Sequence, residues 1–268
     1  MQRRLLGWYA RGQAFSLHRP SLRKEHRLDR ALWITWYDLA DGRTDAYLSW
    51  LHESYIPRLL SKPGFLWSAH FACTEVTSGA RNLRHVDAAM VPDGNDYVLL
   101  FGAESPHVFA DPVPGKLHAT LPPADRKMLA ARRGERSGIF VEEARVTGPE
   151  AASGNGAAGL APCIQLGSFN AGSWKNEEDL LDWYANCRMT AMQTLPGCLG
   201  VRKLVSVSGW AKHGVLYEFS SLEARNAHFP EHEKNDPEKR AWSDRLVPTL
   251  IHAPGSPNVA TRLWPPVR

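Results

Sequence analysis

The sequence predicts an α+β fold made of two tandem βαββαβ units that pack sheet to sheet. Three observations support this prediction. Identical residues recur 133 positions apart, a Gly- and Ala-rich segment divides the chain, and each half alternates strand patterns with helical patterns. Recurrence at a constant offset is the sequence signature of an internal repeat, so we expect the two halves to fold alike.

The repeat rests on five pairs of identical residues, which include tryptophan, proline and glycine. They are Leu48 and Leu181, Trp50 and Trp183, Pro63 and Pro196, Gly64 and Gly197, and Leu66 and Leu199. The Pro-Gly pairs are helix-stop signals, so each half is predicted to end its first helix at the same place.

Composition divides the chain into four parts. Residues 1–30 form a basic N-terminal extension with eight basic and two acidic residues, so the rest of the chain has a net charge of −2. Residues 31–147 and 162–268 are the two predicted units, joined by the Gly/Ala-rich linker 148–161. Such a small-residue segment cannot bury enough apolar surface to offset its ordering entropy.

Each half begins with a strand and a helix. The strands are predicted at 31–39 and 163–169 from their apolar and β-branched content. In the first half, Leu48, Leu51, Tyr55 and Leu59 recur at helical spacing, with Thr44 as N-cap. The second half repeats the spacing at Leu180, Trp183, Cys187 and Ala191. Pro57 predicts that the first helix kinks or ends early.

The remaining elements complete the βαββαβ order twice. Second strands are predicted at 65–75 and 199–208, third strands at 97–101 and 215–219, helices at 124–133 and 238–250, and closing strands at 139–146 and 258–263. This order is that of the ferredoxin-like unit. Its two helices cover one face of the sheet, so the other faces, rich in aromatic residues, are expected to pack together as a barrel with a filled interior or room for a small ligand.

The first helix carries a familiar string, Trp-Leu-His-Glu-Ser-Tyr-Ile-Pro at 50–57, followed by Pro-Gly-Phe at 63–65. It resembles the dimeric α/β-barrel superfamily, in particular its EthD-like members, and implies a fused pair of units that other proteins associate as dimers. Tyr55 stands where those members have a histidine, His52 lies one turn earlier, and Arg188 takes the equivalent place in the second half.

The resemblance implies several activities and leaves the choice among them open. Relatives include cofactor-free monooxygenases, isomerases, cyclases and haem-dependent dismutases and peroxidases, and fold does not imply function. No cofactor is expected, with haem as the alternative. The axial ligand of the haem iron would be His70, His85, His107 or His213.

Composition excludes several other classes. No run of eighteen apolar residues occurs, and a slightly acidic body is poor support for nucleic-acid binding. The four cysteines lack Cys-x-x-Cys spacing, which predicts reduced thiols and a cytoplasmic protein. A small organic ligand is the expected partner, without nucleic acid or membrane, and a homodimer is the expected oligomer.

Candidate catalytic residues come from the first half. Strand alternation at 65–75 predicts that Ser68 and His70 point into the interior between the sheets, because the helix-facing side should be more uniformly apolar. An imidazole there could move a proton near neutral pH. His70, Tyr55 and His52 are therefore the predicted catalytic residues, and a hydrogen-bonded core histidine is the alternative for His70.

The predicted substrate-binding residues come from both halves. They are Trp36, Trp67, Lys203, Arg188, His213 and Tyr217. Lys203 is the repeat partner of His70, and the loop 208–214 is predicted to be either a lid or an ordinary hairpin turn. No metal site is predicted, because Pro230 interrupts the pair His228 and His232.

These observations support three hypotheses. The first is a protein that binds an aromatic or polyketide-like molecule in the barrel interior and acts as a cofactor-free isomerase, cyclase or monooxygenase, since aromatic walls with few polar groups are typical of ligand cavities. The second is a haem-binding barrel. The third is a non-catalytic association module with a filled core.

Overall fold

The computed structural model describes residues 29–40, 44–74, 83–153 and 160–267. The predicted basic extension therefore lies outside the described residues except for Asp29 and Arg30. The central part of the predicted linker, 154–159, lies outside them as well.

The first half contains the following elements in chain order. They are β1 (Ala31–Leu39), α1 (Thr44–Trp50), a π-helical turn (Leu51–Tyr55), α2 (Ile56–Leu60), β2 (Phe65–Thr74), β3 (Arg84–His85), β4 (Tyr97–Ala103), a 3-10 helix (Pro106–Phe109), α3 (Pro114–Ala119), α4 (Pro123–Leu129) and β5 (Arg132–Thr147).

The second half follows the same βαββαβ plan after a short 3-10 helix at Pro149–Ser153. Its elements are β6 (Cys163–Asn170), α5 (Asn176–Trp183), a π-helical turn (Tyr184–Arg188), α6 (Met189–Met192), β7 (Cys198–Ser208), β8 (His213–Phe219), α7 (Leu222–His228), α8 (Pro237–Leu246), a 3-10 helix (Val247–Thr249), β9 (Ile251–His252) and β10 (Asn258–Trp264).

The first helix of each half contains a π-helical turn, and the two turns are 133 residues apart. The first helix continues past Pro57 to Leu60, so the predicted early end is wrong. Thr190 stands at the position that corresponds to Pro57, and its hydroxyl donates to the carbonyl of Cys187 at 2.9 Å. Because both helices have the turn, proline is not its cause.

Eight of the strands close into one antiparallel barrel. Within each half the second strand pairs with the third, the third with the first, and the first with the fourth. The fourth strands then cross to the other half: β5 pairs with β7, and β10 pairs with β2. Closure leaves the barrel without exposed strand edges.

Strand β5 makes this crossing possible because it is 16 residues long. Its first part, from Arg132 to Val141, pairs with β1, and its later part pairs with β7. The helix predicted to reach residue 133 ends at Leu129, and the closing strand begins seven residues earlier than predicted. Arg132 is the first residue of this strand, and its buried guanidinium donates to the hydroxyl of Tyr47 at 2.6 Å.

The buried side chains form three cores. One lies inside the barrel and takes residues from both halves, and the other two lie between the outer face of each half and its helices. The α+β fold with two sheets packed face to face is therefore confirmed. The richest aromatic surfaces, however, are the outer faces, where both Trp33 and Phe169 are buried.

The barrel interior is filled by side chains. Trp36, Phe71, Phe140 and Leu166 meet there and are each at most 3 % exposed. The prediction that the interior is the ligand chamber is wrong, because large inward-pointing side chains pack it as a core. A small cavity of about 40 Å³ remains at one end, beside Trp210.

The linker ends pack onto the barrel. Ala161 is 3 % exposed and belongs to the interior core, and the amide of Gly148 donates to the carbonyl of Leu199. Among the helices of the described ranges, none is long and apolar enough to cross a bilayer.

We predict that the shared interior makes the halves unfold together. Phe71→Ala in the first half and Leu166→Ala in the second should each destabilise the protein by about 2–5 kcal/mol, because each leaves a cavity in the same core. Urea unfolding followed by tryptophan fluorescence and by circular dichroism should show one transition, shifted as a whole. Val207→Ala, at a side chain that is 60 % exposed, is the control. Two transitions, of which only one moves, would contradict the prediction.

Candidate functional site

A cavity of about 390 Å³ lies in the second half, between the outer face of the sheet and the helices. Strands β6 and β8 form its floor, and α7, α8 and the segment between them form its rim. Its walls are aromatic. They include Phe169, Trp183, Tyr184, Tyr217 and Phe229. A concave, mostly apolar space with a few polar groups is the usual form of a small-molecule site.

The strand ladders show which residue of the first half stands where the second half has its cavity. When His70 is placed on Lys203, Gln165 takes the place of Trp33. The Trp33 indole is 2 % exposed and stacks on Phe101 at 5.3 Å. A glutamine is too small to fill the same space, so the second half is left open.

Arg188 is the central polar residue of the cavity. It lies at the end of the π-helical turn, is 5 % exposed, and its guanidinium carbon sits 4.5 Å from the centre of the Trp183 ring. Glu233 lies 3.4 Å away as its carboxylate partner. The Nε of Arg188 has no hydrogen-bond partner among the residues that the structure describes.

Glu233 is held in place by a chain of hydrogen bonds. The indole of Trp183 donates to the hydroxyl of Ser243 at 3.0 Å, and that hydroxyl donates to Glu233 at 2.6 Å. Ser243 is fully buried and Glu233 is 6 % exposed. These hydrogen bonds hold the carboxylate of Glu233, which in turn positions Arg188.

His232 accepts a hydrogen bond from Arg188. Its Nδ1 faces the carbonyl of Phe229 and must therefore carry the ring proton, which leaves Nε2 as the acceptor for the guanidinium. Burial, followed by the charge of Arg188, lowers the pKa of His232. The ring is therefore neutral near pH 7 and has no nitrogen free for a metal ion.

His252 has a second buried nitrogen without a partner. Its Nδ1 lies 3.3 Å from the hydroxyl of Ser256, which also accepts the backbone N–H of Ser168 at 2.9 Å. A hydroxyl has two lone pairs and one hydrogen, so Ser256 can either donate to Nδ1 or accept from it, and this contact fits both tautomers of His252. This Nε2 is buried, and no described residue is bonded to it. Burial, followed by the charge of His85, lowers the pKa of His252 to about 4.

Two tyrosines complete the polar lining. Burial raises the pKa of Tyr184 well above its usual range and that of Tyr217 to about 12. Both phenols therefore keep their protons at physiological pH. They can donate hydrogen bonds but cannot act as bases.

Lys203 and His213 lie beside the cavity and bond to each other. The ammonium of Lys203 is 3.0 Å from Nδ1 of His213 and 3.2 Å from Glu143, and Nε2 of His213 is 2.8 Å from Glu177. Lys203 also sits 5.2 Å from the centre of the Tyr184 ring. Neither residue lines the cavity, so of the residues predicted to bind substrate only Arg188 and Tyr217 do so.

The predicted catalytic residues lie in the outer core of the first half. Nε2 of His70 is 2.8 Å from the hydroxyl of Tyr37, and its Nδ1 is 2.9 Å from His52. Tyr55 bonds to His118 at 2.7 Å. Burial, followed by the charges of His52 and Arg132, lowers the pKa of His70 well below its usual range.

The predicted direction of the His70 side chain is therefore corrected. Its side chain faces the helices and not the barrel interior, because Tyr37 and His52 supply hydrogen bonds on that side. His70 and Lys203 do occupy equivalent positions, as expected, but on the outer faces of different halves, so they do not share a cavity. Ser68, which was also predicted to point inward, faces outward with His70 and donates to the carbonyl of Leu100.

Trp36 and Trp67 are also far from the cavity. Trp36 belongs to the interior core, and Trp67 packs against it. The indole of Trp67 donates to Asp29 at 2.8 Å, and the guanidinium of Arg136 lies 5.0 Å from the Trp36 ring. The loop 208–214 joins β7 to β8 as a hairpin whose Trp210 lines the small cavity at the barrel end, away from the larger one.

The four histidines predicted as haem ligands lie in different places. Both ring nitrogens of His70 and of His213 are occupied by hydrogen bonds. His85 is exposed and bonds to the carbonyl of Ser256, and His107 is exposed on the 3-10 helix of the first half. None of the four lines the large cavity.

Sequence reasoning missed the most informative residues of the cavity. They are Gln165, Arg225, Phe229, Glu233 and His252. A comparison of the two halves strand by strand would have found Gln165, because it replaces a tryptophan. His232 was considered only as a partner of His228 in a metal pair, since contacts with Arg188 are invisible along the chain.

Comparison with known proteins identifies the fold. No family model and no curated protein matches the chain. An anthrone oxidase-like protein matches with a TM-score of 0.57 at 12 % identity, over 88 % of this chain and 92 % of that chain. A putative monooxygenase from Fusobacterium nucleatum matches with a TM-score of 0.53 at 9 % identity, over 88 % and 93 %. The chain therefore has a fold of the dimeric α/β-barrel type.

We predict that His252 makes stability depend on pH. Its pKa is lower in the folded chain, about 4, than in the unfolded chain, about 6.5, so its contribution is complete above pH 6.5 and is lost as the pH falls toward 4. Asparagine can keep the contact with Ser256 but cannot titrate. His252→Asn should therefore flatten the stability slope by up to about 1.4 kcal/mol per pH unit in that window.

Urea unfolding at pH 8.0, 6.0 and 5.0 measures this slope. Val215→Ala is the control, because it shortens another side chain of the cavity without removing a titratable group. Its curve should run parallel to that of the wild type. An equal slope in all three proteins would contradict the prediction.

Proposed function

We propose that the protein binds a flat aromatic or polyketide-like molecule in the cavity of the second half and acts on it as an enzyme without a cofactor. The observation that carries the proposal is a pair of buried nitrogens without partners, Nε of Arg188 and Nε2 of His252, on a cavity with aromatic walls. The proposal places the ring proton of His252 on Nε2, so that both nitrogens are donors. Buried donors normally have acceptors, so a ligand oxygen is the expected partner.

The walls suit a planar ring system. Phe169 and Tyr184 lie nearly parallel, with an interplanar angle of 8° and ring centres 6.3 Å apart. Trp183 packs edge-on against Tyr184 at 4.8 Å. Aromatic side chains of this kind favour stacking and edge contacts with another aromatic ring.

The two donors can stabilise a ligand oxygen that gains negative charge during the reaction. An arginine N–H and a neutral imidazole N–H in a buried place stabilise an oxyanion more strongly than water does, because they are oriented before the charge develops. An aromatic ketone with an acidic C–H bond gives such an oxyanion when it loses a proton to a water molecule at the mouth of the cavity and becomes an enolate. The cavity would thus favour the reactive form of the ligand.

A monooxygenase-type reaction follows from that chemistry with molecular oxygen as the oxidant. For anthrone, the methylene carbon loses two hydrogens and gains one oxygen atom, and the second oxygen atom leaves as water. The products are anthraquinone and water in equal amounts. Arg188 and His252 would bind the enolate oxygen, and the aromatic walls would orient the ring and exclude water.

We also propose that the chain is a fused pair of EthD-like units whose halves have diverged. The common strand order and the π-helical turns 133 residues apart support a common origin. In the first half the corresponding space is closed by Trp33 and by Arg132, whose guanidinium carbon lies 4.6 Å from the centre of the Tyr37 ring. One half would thus stabilise the barrel while the other binds the ligand.

A haem alternative would use His252, the histidine in the cavity with a free nitrogen. A metal-binding histidine normally donates from its other nitrogen to an acceptor. The partner of Nδ1 in His252 is the Ser256 hydroxyl and not a carboxylate or a carbonyl, so the arrangement lacks the acceptors that usually support a metal on Nε2. Titration of the wild-type protein with haem should therefore give no Soret band from a His252–haem complex. A Soret band that appears with the wild type and is absent with His252→Asn would support the haem alternative.

A larger side chain at position 165 should fill the cavity. Gln165→Trp restores the indole that closes the first half and should abolish binding of 2-naphthol, measured by calorimetry. Gln193→Trp makes the same change at an exposed position of the second half and should leave binding intact. Equal binding by both variants, at preserved circular dichroism, would rule out the cavity as the binding site.

The proposed reaction can be measured with anthrone as the substrate. The wild-type protein should convert anthrone to anthraquinone with one molecule of oxygen consumed per molecule, followed with an oxygen electrode and by absorbance. His252→Asn should lower the rate by about 100-fold, the usual loss for one oxyanion donor. His107→Asn, at an exposed histidine of the first half, should keep the wild-type rate. A rate no higher than that of heat-denatured protein would refute the activity on this substrate.

A further inference from the structure

Arg225 lines the same cavity and has no role in the oxyanion site described above. Its side chain projects from α7, and the residue is 5 % exposed. Two of its guanidinium nitrogens donate to the amide oxygen of Gln165, at 3.0 and 2.6 Å, and a third donates to Asn226 at 2.9 Å. All of these partners are neutral.

Arg225 therefore differs from the other buried arginines. Arg132 pairs with Glu135, Arg188 with Glu233, and Arg202 with Asp29 and Glu142. In the described part of the chain no carboxylate forms an ion pair with Arg225. Burial of a cation without a counter-charge is costly, so such sites are normally completed by an anion.

The position of Arg225 places this charge inside the cavity. Its guanidinium carbon lies 5.4 Å from the centre of the Phe229 ring, and that of Arg188 lies 5.8 Å from the same centre. The two cations thus flank one ring, and Glu233 neutralises one of them. His232 adds no charge near neutral pH, because burial and Arg188 lower its pKa. The interior of the cavity is left with an uncompensated positive charge.

We propose that Arg225 is a specificity residue that recognises a carboxylate on the ligand, separate from the oxygen bound by Arg188 and His252. The ligand class is thus an aromatic or polyketide-like carboxylic acid that also carries a phenol or an enolisable ketone. This inference rests on the proposed function, because it assumes that the cavity binds the aromatic body of the ligand.

The planar guanidinium suits this role. A carboxylate can accept two parallel hydrogen bonds from an arginine, which makes the pair directional as well as charged. Gln165 holds the guanidinium from one side and so orients it. The residue that opens the cavity by replacing a tryptophan is therefore also the one that positions its second cation.

The test compares three ligands on the wild-type protein by calorimetry at pH 7.5. They are 6-hydroxy-2-naphthoic acid, its methyl ester and 2-naphthol. The acid should bind about 10- to 100-fold more tightly than the ester, which has the same ring system without the charge. This comparison needs no variant and does not depend on the folding of a mutant.

Variants then assign the preference to one residue. Arg225→Gln should reduce the preference for the acid over the ester to less than about 3-fold. Arg240→Gln removes the same charge from an exposed position at the mouth of the cavity and should keep the preference. Circular dichroism and thermal unfolding check that both variants are folded.

The outcomes separate the two proposals. If 2-naphthol and the ester bind but the acid binds no more tightly, carboxylate recognition is wrong while the cavity still binds aromatic molecules. If Arg240→Gln removes the preference as fully as Arg225→Gln, the effect is general attraction and the assignment to Arg225 is wrong. If none of the three compounds binds, the proposed function is wrong as well.

Discussion

The structure depends on the crossing of one strand from each half into the sheet of the other. Strand β5 pairs with β7, and β10 pairs with β2, so the two sheets become one closed barrel. Closure satisfies the backbone hydrogen bonds at both edges and buries the inner faces in a shared core. With the interior filled, ligand space can arise only between the barrel and its helices. This single constraint explains why the cavity lies outside the barrel.

The halves use the same scaffold in different ways. In the first, Trp33 and the stack of Arg132 on the tyrosine rings close the space beneath the helices, and His70 is held there by hydrogen bonds at both nitrogens. In the second, Gln165 and Gly167 stand on the corresponding strand and leave room. Dense packing and an open cavity exclude each other at one place, so one of the two equivalent positions is packed solid while the other keeps its cavity.

Charge gives the cavity its chemical character. Arg188 and Arg225 are both buried, yet Glu233 is the carboxylate that the described residues supply to this pair of cations. The histidines around them are kept neutral by burial, so they act through hydrogen bonds. A site of this composition favours anionic ligands with aromatic bodies, because it combines uncompensated positive charge with ring surfaces.

The sequence by itself determined the α+β class and the packing of two sheets face to face, because these follow from residue periodicity and from the aromatic faces that must be buried. Two of the residues it singled out, Arg188 and Tyr217, line the cavity. Only the tertiary structure decided which face of β2 carries His70, since strand alternation separates two faces without saying which one meets the helices. The cavity was likewise decided in three dimensions: it exists because Gln165 replaces Trp33 across the repeat, and its polar lining comes from α7 and the segments around α8, whose neighbours no linear pattern reveals.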